Sequence, residues 1–339
     1  MIEIMQTERI IGLDFIKVIA CIFIVALHTI NVSYSPINFI IISFAVSAIP
    51  LFIMVNGYLM FQKTEITYGY IGNKIFRILI VCFSWEALHA LAYFCYYHKF
   101  RNFVKSFLLD FLQQGLFFHF WFMGTLIILY LLLPFLYQLY QQSEKIYIGI
   151  LIGLGVACAM ISFLMIVTRN QFILKVPQSL RLWYWLFYYM LGGLLSKKKV
   201  HIQSLVEKCS LTVKIAVMAI AIALLVGWQW IIGNIVMGHY VLETFYGSAP
   251  IIISVTVLFI YILGAKVKWK KEIAYLSGLS MGIYIIHPFV LAVLQKFFPI
   301  FISGNTLMNI SFWIATVIIC GAITLIMNRL PIVKELLKL

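Results

Sequence analysis

The sequence predicts an all-α, polytopic integral membrane protein with ten transmembrane helices, and three observations support this prediction. Of the 339 residues, 64% are hydrophobic and only 11% are charged, and the mean hydropathy is +1.04. A soluble domain is about half apolar and about a quarter charged, so a water-soluble surface does not accommodate this composition. The apolar residues also fall into runs of about 20, the length that crosses a hydrocarbon core as a helix.

The candidate spans follow one another without a linker, a sequence repeat or a low-complexity tract. We therefore expect one membrane-embedded domain over residues 1–339. The first run contains charged residues and lacks a small-residue cleavage site, so we expect a retained span. The sixth run is short but rich in Trp, Tyr and Phe, which is typical of interfacial anchors. The ten runs are 11–33, 37–62, 75–97, 119–140, 146–168, 180–196, 211–232, 249–265, 272–294 and 309–330.

The formal net charge of +14 comes from Lys and Arg residues that lie mostly in short segments between the apolar runs. This pattern is typical of loops that set membrane orientation, and it argues against nucleic-acid binding. With the N-terminus inside, the inner segments carry 17 Lys and Arg residues and the outer segments carry 7. We therefore expect both the N-terminus and the C-terminus to be cytoplasmic.

The segment 102–118 lies between two runs and is too polar to span. Its apolar and polar residues alternate at helical spacing, which predicts an amphipathic helix on the outer membrane interface. The alternative is a plain connecting loop. The apolar positions are Phe103, Phe107, Leu108 and Phe111, and the polar positions are Lys105, Ser106, Asp110 and Gln114.

Ionisable residues inside a span are costly unless they face a partner or water, so each is a functional candidate. Depth along the helices, at ~1.5 Å per residue, sorts them into two sets. Cations near the inner surface suit the phosphates of an anionic cytosolic donor, and deeper groups suit proton transfer at neutral pH. The inner set is Lys17, Lys74 and Arg77; the deeper set is His28, Glu86, His89, His119 and His287.

Structural roles are the alternative for most of these residues. The six cysteines form no CxxC pair and show no metal-ligand spacing, so we expect no metal site. The structural alternatives are positive-inside anchors for Lys74 and Arg77, an ion pair for Asp14 and Lys17, a polar tip at the interface for His119, and contacts within the helix bundle for Glu86 and His89.

Five segments carry motifs that stand in a recognisable order. They are LDFIKVIACIFIVALH (13–28), PLFIMVNGYLM (50–60), KIFR (74–77), FHFWFM (118–123) and LSMGIYIIHP (279–288). Together they resemble the motifs of the acyltransferase 3 family, bacterial O-acyltransferases of surface glycans. The family has Arg where this chain has Lys17 and Lys74, and a lysine offers phosphate a point charge instead of a forked contact.

The resemblance implies ten spans, an acyl-CoA donor that is usually acetyl-CoA, and an O-linked acceptor such as a capsule, lipopolysaccharide or cell-wall glycan. It also implies that His28 is the essential catalytic group, either as general base or as a covalent carrier of the acyl group. Glu86 is the candidate that orients a nearby histidine. Lys17, Lys74 and Arg77 would hold the CoA phosphates, and Asp14, His89, Trp121 and His287 would bind substrate.

Trp121 would form a wall of the acyl or sugar site, because aromatic faces suit sugar rings; an interfacial belt position is its alternative.

The sequence, with this resemblance, thus predicts an acetyl-CoA-dependent O-acetyltransferase of the bacterial inner membrane. Its expected partners are acyl-CoA, a glycan or lipid-linked glycan, and membrane lipids, with no nucleic acid. A transporter or flippase for a glycan intermediate or small solute is the alternative, and a non-catalytic member of a glycan-assembly complex is a third.

Overall fold

The computed structural model describes residues 9–32, 35–100, 102–239, 243–265, 267–299, 305–331 and 333–337. These residues form helices and no strand, which confirms the all-α prediction. The end of the first predicted span, residue 33, lies outside the described residues. The α-helices are α1 (Ile11–Thr29), α2 (Pro36–Val46), α3 (Ala48–Phe61), α4 (Tyr68–Tyr97), α5 (Phe103–Phe111), α6 (Trp121–Gln142), α7 (Glu144–Thr168), α8 (Leu182–Lys197), α9 (Lys199–Lys208), α10 (Leu211–Trp230), α11 (Ala249–Leu263), α12 (Lys270–Phe297) and α13 (Thr306–Asn328).

Eight helical segments within the described residues are long and apolar enough to cross a membrane. The other two predicted spans correspond to α8, with 16 residues, and α11, with 15. A helix of that length rises only about 24 Å, less than a hydrocarbon core of ~30 Å. The count of ten and the cytoplasmic termini therefore stay predictions. The eight segments are Ile11–Thr29, Pro36–Phe61, Tyr68–Tyr97, Phe118–Gln142, Glu144–Thr168, Leu211–Met237, Lys270–Phe297 and Thr306–Asn328.

The second predicted span is interrupted at Ser47, between α2 and α3. Pro50 follows three residues later and has no N–H to donate to the carbonyl of Val46, so the helical ladder breaks there. The carbonyl of Phe44 accepts from both the hydroxyl of Ser47, at 2.6 Å, and its backbone N–H, at 3.0 Å. The two helices still run as one membrane-length segment.

The aromatic residues of α8 are buried in the bundle, so the interfacial-anchor interpretation of the sixth run is wrong. Tyr184, Trp185 and Tyr188 are 0% exposed. Their polar atoms have partners inside the protein. The indole N–H of Trp185 donates to the backbone carbonyl of Gln178, and the hydroxyl of Tyr188 donates to the backbone carbonyl of Tyr246, both at 2.7 Å. Internal acceptors replace the interfacial water that these groups otherwise need.

Helix α8 lies against α3 at unusually close range because two glycines face the opposite backbone. A Cβ added to Gly57 would lie 2.1 Å from the carbonyl oxygen of Tyr189, and one added to Gly192 would lie 2.2 Å from that of Met54. Small residues allow such backbone approach in membrane helices. This contact places α8 in the interior.

Helix α5 confirms the predicted amphipathic helix, but two of its polar residues point into the protein. Ser106 and Asp110 are buried, whereas Val104 and Leu108 are 64% and 57% exposed. The reason is local, because Oδ1 of Asp110 accepts a hydrogen bond from the backbone N–H of Phe117 at 3.1 Å. The buried carboxylate thereby holds the turn that leads into α6.

Helix α1 is central and runs beside α12 in the same direction. It also packs against α2, α3, α11 and α13. Asp14 meets Ser277 near one end of the pair, and His28 meets His287 near the other. The end with Asp14, where the basic segments lie, is called the basic end, and the other the histidine end.

Candidate functional site

The site is built around three histidine rings that lie one beside the next. His28 is in the last turn of α1, His119 is in the 3-10 turn before α6, and His287 is in α12. The ring centroids of His28 and His287 are 5.3 Å apart with 20° between the planes. Those of His119 and His287 are 5.1 Å apart at 67°. Residues from three distant parts of the chain therefore form one histidine cluster.

Tyr284, one turn before His287, holds this cluster together. Its carbonyl accepts a hydrogen bond from Nδ1 of His287 at 2.7 Å, and its hydroxyl donates to the carbonyl of His119. A neutral ring that donates through Nδ1 keeps its lone pair on Nε2. Among the described residues, Nε2 of His287 and both ring nitrogens of His119 have no hydrogen-bond partner. Unpaired buried polar atoms cost about 1–3 kcal/mol each, so they are typical of a site that binds another group.

A small cavity of about 30 Å³ opens beside His28. Its volume corresponds to about one or two water molecules, so a single hydroxyl group fits there. The described residues contain no group of three or more His, Cys, Asp or Glu arranged to hold a metal ion. The polar and aromatic lining comes from His28, Gln113, Phe118, His119, Trp121, Phe122, Glu243 and Tyr284.

A second cavity, of about 450 Å³, extends toward the basic end and is lined by Lys17 and Ser277. Ile24, Phe122 and Tyr284 line both cavities, so these side chains separate the Lys17 region from the His28 region. Along α1, Lys17 and His28 are ~16 Å apart at the helical rise of 1.5 Å per residue. The two cavities thus adjoin at a shared wall, with a cation beside one and the histidine cluster beside the other.

A family model described as an acyltransferase domain, Acyl_transf_3, matches residues 10–329, nearly the whole chain. The chain belongs to the acyltransferase 3 family. The resemblance in its motifs is thereby confirmed, and the match together with the apolar helices indicates a multi-pass membrane acyltransferase. No curated protein and no solved structure matches the chain.

In this acyltransferase, Asp14 is buried and holds basic residues at the basic end. Its carboxylate lies 2.8 Å from Nζ of Lys17 and 2.5 Å from Nε of Arg9, and Ser277 donates to it at 2.7 Å. A buried carboxylate needs such partners. Asp14 therefore forms the ion pair that was the structural alternative for it, and this pair positions Lys17 at the larger cavity. Substrate binding by Asp14 itself stays a prediction.

Lys74 and Arg77 line a different space, a groove of about 730 Å³ along α4. Glu335 lines the same groove, and its carboxylate lies 2.6 Å from Nη2 of Arg77. Leu337, two residues on, lines the Lys17 cavity. The three predicted phosphate-binding cations therefore lie at the same end of the acyltransferase, but a C-terminal 3-10 turn stands between the two spaces they face.

The histidine beside Glu86 is His89, one turn further along α4. Glu86 is buried, and its Oε2 lies 3.3 Å from Nδ1 of His89. The His89 ring packs edge-on to Phe117 at 5.9 Å and to Phe289 at 6.5 Å. The pair therefore supports the walls beside the histidine cluster, and a catalytic role for Glu86 and substrate binding by His89 stay predictions.

Trp121 is buried at the small cavity, which disfavours its alternative as an interfacial belt residue. It is 6% exposed, and its ring lies 5.4 Å from that of Trp185. Trp185 in turn lies 5.1 Å from Tyr246. A continuous aromatic wall therefore extends from the cavity into the interior of the acyltransferase.

Three polar residues at the small cavity were not among the predicted site residues: Gln113, Glu243 and Tyr284. Tyr284 stands inside the segment 279–288 that carries the family resemblance, so the motif itself could have indicated it. Gln113 and Glu243 stand in turns between apolar runs, where a polar residue is ordinary. Their place in the site follows only from the folding of two loops over the histidine cluster.

Proposed function

We propose that this acyltransferase is an O-acetyltransferase that moves an acetyl group from cytosolic acetyl-CoA to a hydroxyl of a surface or cell-wall glycan. The observation that carries the proposal is the meeting of the two cavities at Tyr284, with Lys17 in one and His28 in the other. The larger cavity suits an extended donor arm with anionic groups at the basic end. The smaller cavity suits one hydroxyl.

The proposed chemistry follows from this assignment of the donor to the larger cavity and of the hydroxyl to the smaller one. His28 takes the proton of the acceptor hydroxyl, and the oxygen attacks the thioester carbonyl carbon that reaches it past Tyr284. The new C–O bond forms as the C–S bond breaks. CoA leaves as the thiolate, and the imidazolium of His28 holds the proton. A second route has the same balance: His28 attacks the thioester first, carries the acetyl group, and passes it to the hydroxyl.

The basic end supplies the donor site in this proposal. Lys17, Lys74 and Arg77 are at that end, and charge-assisted contacts to phosphate are among the stronger hydrogen bonds. The positive-inside rule places the same end in the cytosol, where acetyl-CoA is available. Donor and acceptor then approach the histidine cluster from opposite faces of the membrane.

Acetyl-CoA labelled in the acetyl group tests the proposal with the purified protein in lipid vesicles. We expect release of free CoA and transfer of label to glycan, and neither with His28→Ala. Rapid quenching distinguishes the routes, because label that remains on the protein indicates the covalent one. A transporter or a non-catalytic partner leaves acetyl-CoA intact, and intact acetyl-CoA with correctly folded wild-type protein would overturn the proposal.

A further inference from the structure

Two side chains that the acyl-transfer chemistry does not use line the small cavity with His28. Gln113 belongs to the turn after α5, and Glu243 belongs to the segment between α10 and α11. Both segments are at the histidine end, opposite the cations proposed for the donor. An amide and a carboxylate therefore face the cavity from the side that the donor does not approach.

Glu243 is placed as a hydrogen-bonding group for a polar ligand. Burial raises the pKa of its carboxyl, while the positive charge of Arg181 works in the opposite direction. Arg181 is 3% exposed; its Nε donates to the carbonyl of Val176 at 2.9 Å, and its Nη1 has no hydrogen-bond partner among the described residues. Tyr246, which is fully buried, also neighbours Glu243. An unpaired buried donor on Arg181 and a buried tyrosine thus lie near the carboxylate.

Gln113 is held in a backbone conformation that glutamine rarely adopts. Its φ is +66°, in the left-handed region. Such residues cost about 1–3 kcal/mol and are found mainly where the surrounding structure fixes them, often at binding sites. The anchor here is Asp110: its carbonyl accepts from the N–H of Gln113 at 3.3 Å, and its carboxylate accepts from the N–H of Phe117 at 3.1 Å. One buried carboxylate thus fixes the turn that holds Gln113 and leads to His119.

The side chains that line the small cavity indicate the kind of ligand. A carboxylate and an amide accept from and donate to hydroxyl groups, and Trp121 offers an aromatic wall at the same cavity. The cavity itself, at about 30 Å³, holds one hydroxyl and no ring. A polyhydroxylated acceptor would therefore insert the reacting hydroxyl beside His28 and leave its ring at the mouth.

We infer that Glu243 and Gln113 form the acceptor site, binding neighbouring hydroxyls of a sugar ring so that one hydroxyl points at His28. This inference rests on the proposed acetyl transfer and adds which groups recognise the acceptor. The positive charge of Arg181 favours the ionised form of the Glu243 carboxylate. The donor cations at the basic end play no part in this recognition.

Glu243→Gln and Gln113→Gly test the inference, since glycine keeps the left-handed turn and removes only the amide side chain. Glu65→Gln, at an exposed position in the loop after α3, is the matched control. The acceptor is a set of oligosaccharides released from the surface glycan of cells that produce the protein, and the donor is labelled acetyl-CoA. We expect the KM for oligosaccharide to rise about tenfold or more in Glu243→Gln, which loses a hydrogen bond to a charged group, and about threefold or more in Gln113→Gly, which loses a neutral one. The KM for acetyl-CoA and the control should stay within about twofold of wild type.

The outcomes separate this inference from the proposed function. Failure of the folded wild-type protein to consume acetyl-CoA overturns the proposed function. Normal wild-type transfer with an unchanged oligosaccharide KM in both cavity variants overturns only the acceptor site. An equal rise in both KM values also overturns it, because that result indicates general damage. Fluorescence-detected size-exclusion profiles that match wild type establish that the variants fold.

Discussion

The guanidinium of Arg77 and the carboxylate of Glu335 form an ion pair with 2.6 Å between Nη2 and Oε2. It joins α4 to the C-terminal 3-10 turn, and the indole N–H of Trp85 adds a hydrogen bond to the carbonyl of Leu336 at 3.1 Å. The family motif that would bind donor phosphate therefore has a carboxylate of the same chain beside it. A donor phosphate at Arg77 has to compete with Glu335.

Glu335→Gln should therefore lower the KM for acetyl-CoA. Both side chains are about half exposed, and such pairs are worth roughly 0.2–1 kcal/mol, so the decrease should be at most about fivefold. Glu144→Gln is the matched control, since Glu144 forms an ion pair with Lys198 at 2.5 Å at the same end of the bundle. A higher KM in Glu335→Gln would show instead that the C-terminal turn holds Arg77 in its binding position.

Replacing Lys74 and Arg77 together should raise the KM for acetyl-CoA steeply. Each lost charge-assisted contact costs on the order of 1.5–3 kcal/mol, or roughly ten- to a hundredfold in affinity. Lys74→Arg should preserve or improve donor binding, because a guanidinium restores the forked contact of the family motif. Titration of acetyl-CoA against each variant, normalised to the amount of folded protein, measures this KM. An unchanged KM in the double alanine variant would indicate that both residues serve only as membrane anchors.

His28→Ala should abolish acetyl transfer while the protein still inserts and accumulates normally. His28 faces the small cavity and stacks on His287, so its loss removes the proposed proton acceptor but leaves the helix contacts of α1 in place. His201→Ala, at an exposed position on α9, is the control. Wild-type glycan acetylation by mass spectrometry in the His28 variant would remove this residue from the mechanism.

Gly192→Leu should destabilise the protein strongly. An added Cβ would lie 2.2 Å from the Met54 carbonyl oxygen, so α3 and α8 would have to separate. Overpacking of this kind costs about 1–3 kcal/mol or more. Gly153→Leu on α7 is the control, since its Cβ meets nothing within 4 Å. Thermal unfolding in detergent should show a lower midpoint for the first variant alone, and equal midpoints would contradict the close α3–α8 contact.

Natural cysteines allow a test of the orientation. Cys209 is exposed and follows α9 at the basic end. With the N-terminus inside, a membrane-impermeant maleimide should label Cys209 only after the cells are opened. A cysteine introduced at Asn170, at the opposite end, should react in sealed cells. Labelling of Cys209 in sealed cells would reverse the assigned orientation.

The sequence was sufficient for eight membrane-length helices and for the family, and for physical reasons. Whether a segment enters lipid depends on its own length and composition, so apolar runs alone indicated the eight segments that are long and apolar enough to cross a membrane. The motifs around His28, Lys74 and His287 are local in the same sense, because each depends on residue spacing within one helix. The break at Ser47 was visible in principle, since Pro50 forbids an uninterrupted ladder.

Tertiary structure decided which helix faces meet. In lipid, the outward face of a helix is as apolar as the buried face, so periodicity does not tell which residues point inward. The burial of the α8 aromatic residues and the inward orientation of Ser106 and Asp110 on α5 both follow from this ambiguity. The assembly of His28, His119 and His287, and the arrival of Gln113 and Glu243 beside them, required the relative rotation of helices and the paths of two loops, which only packing fixes.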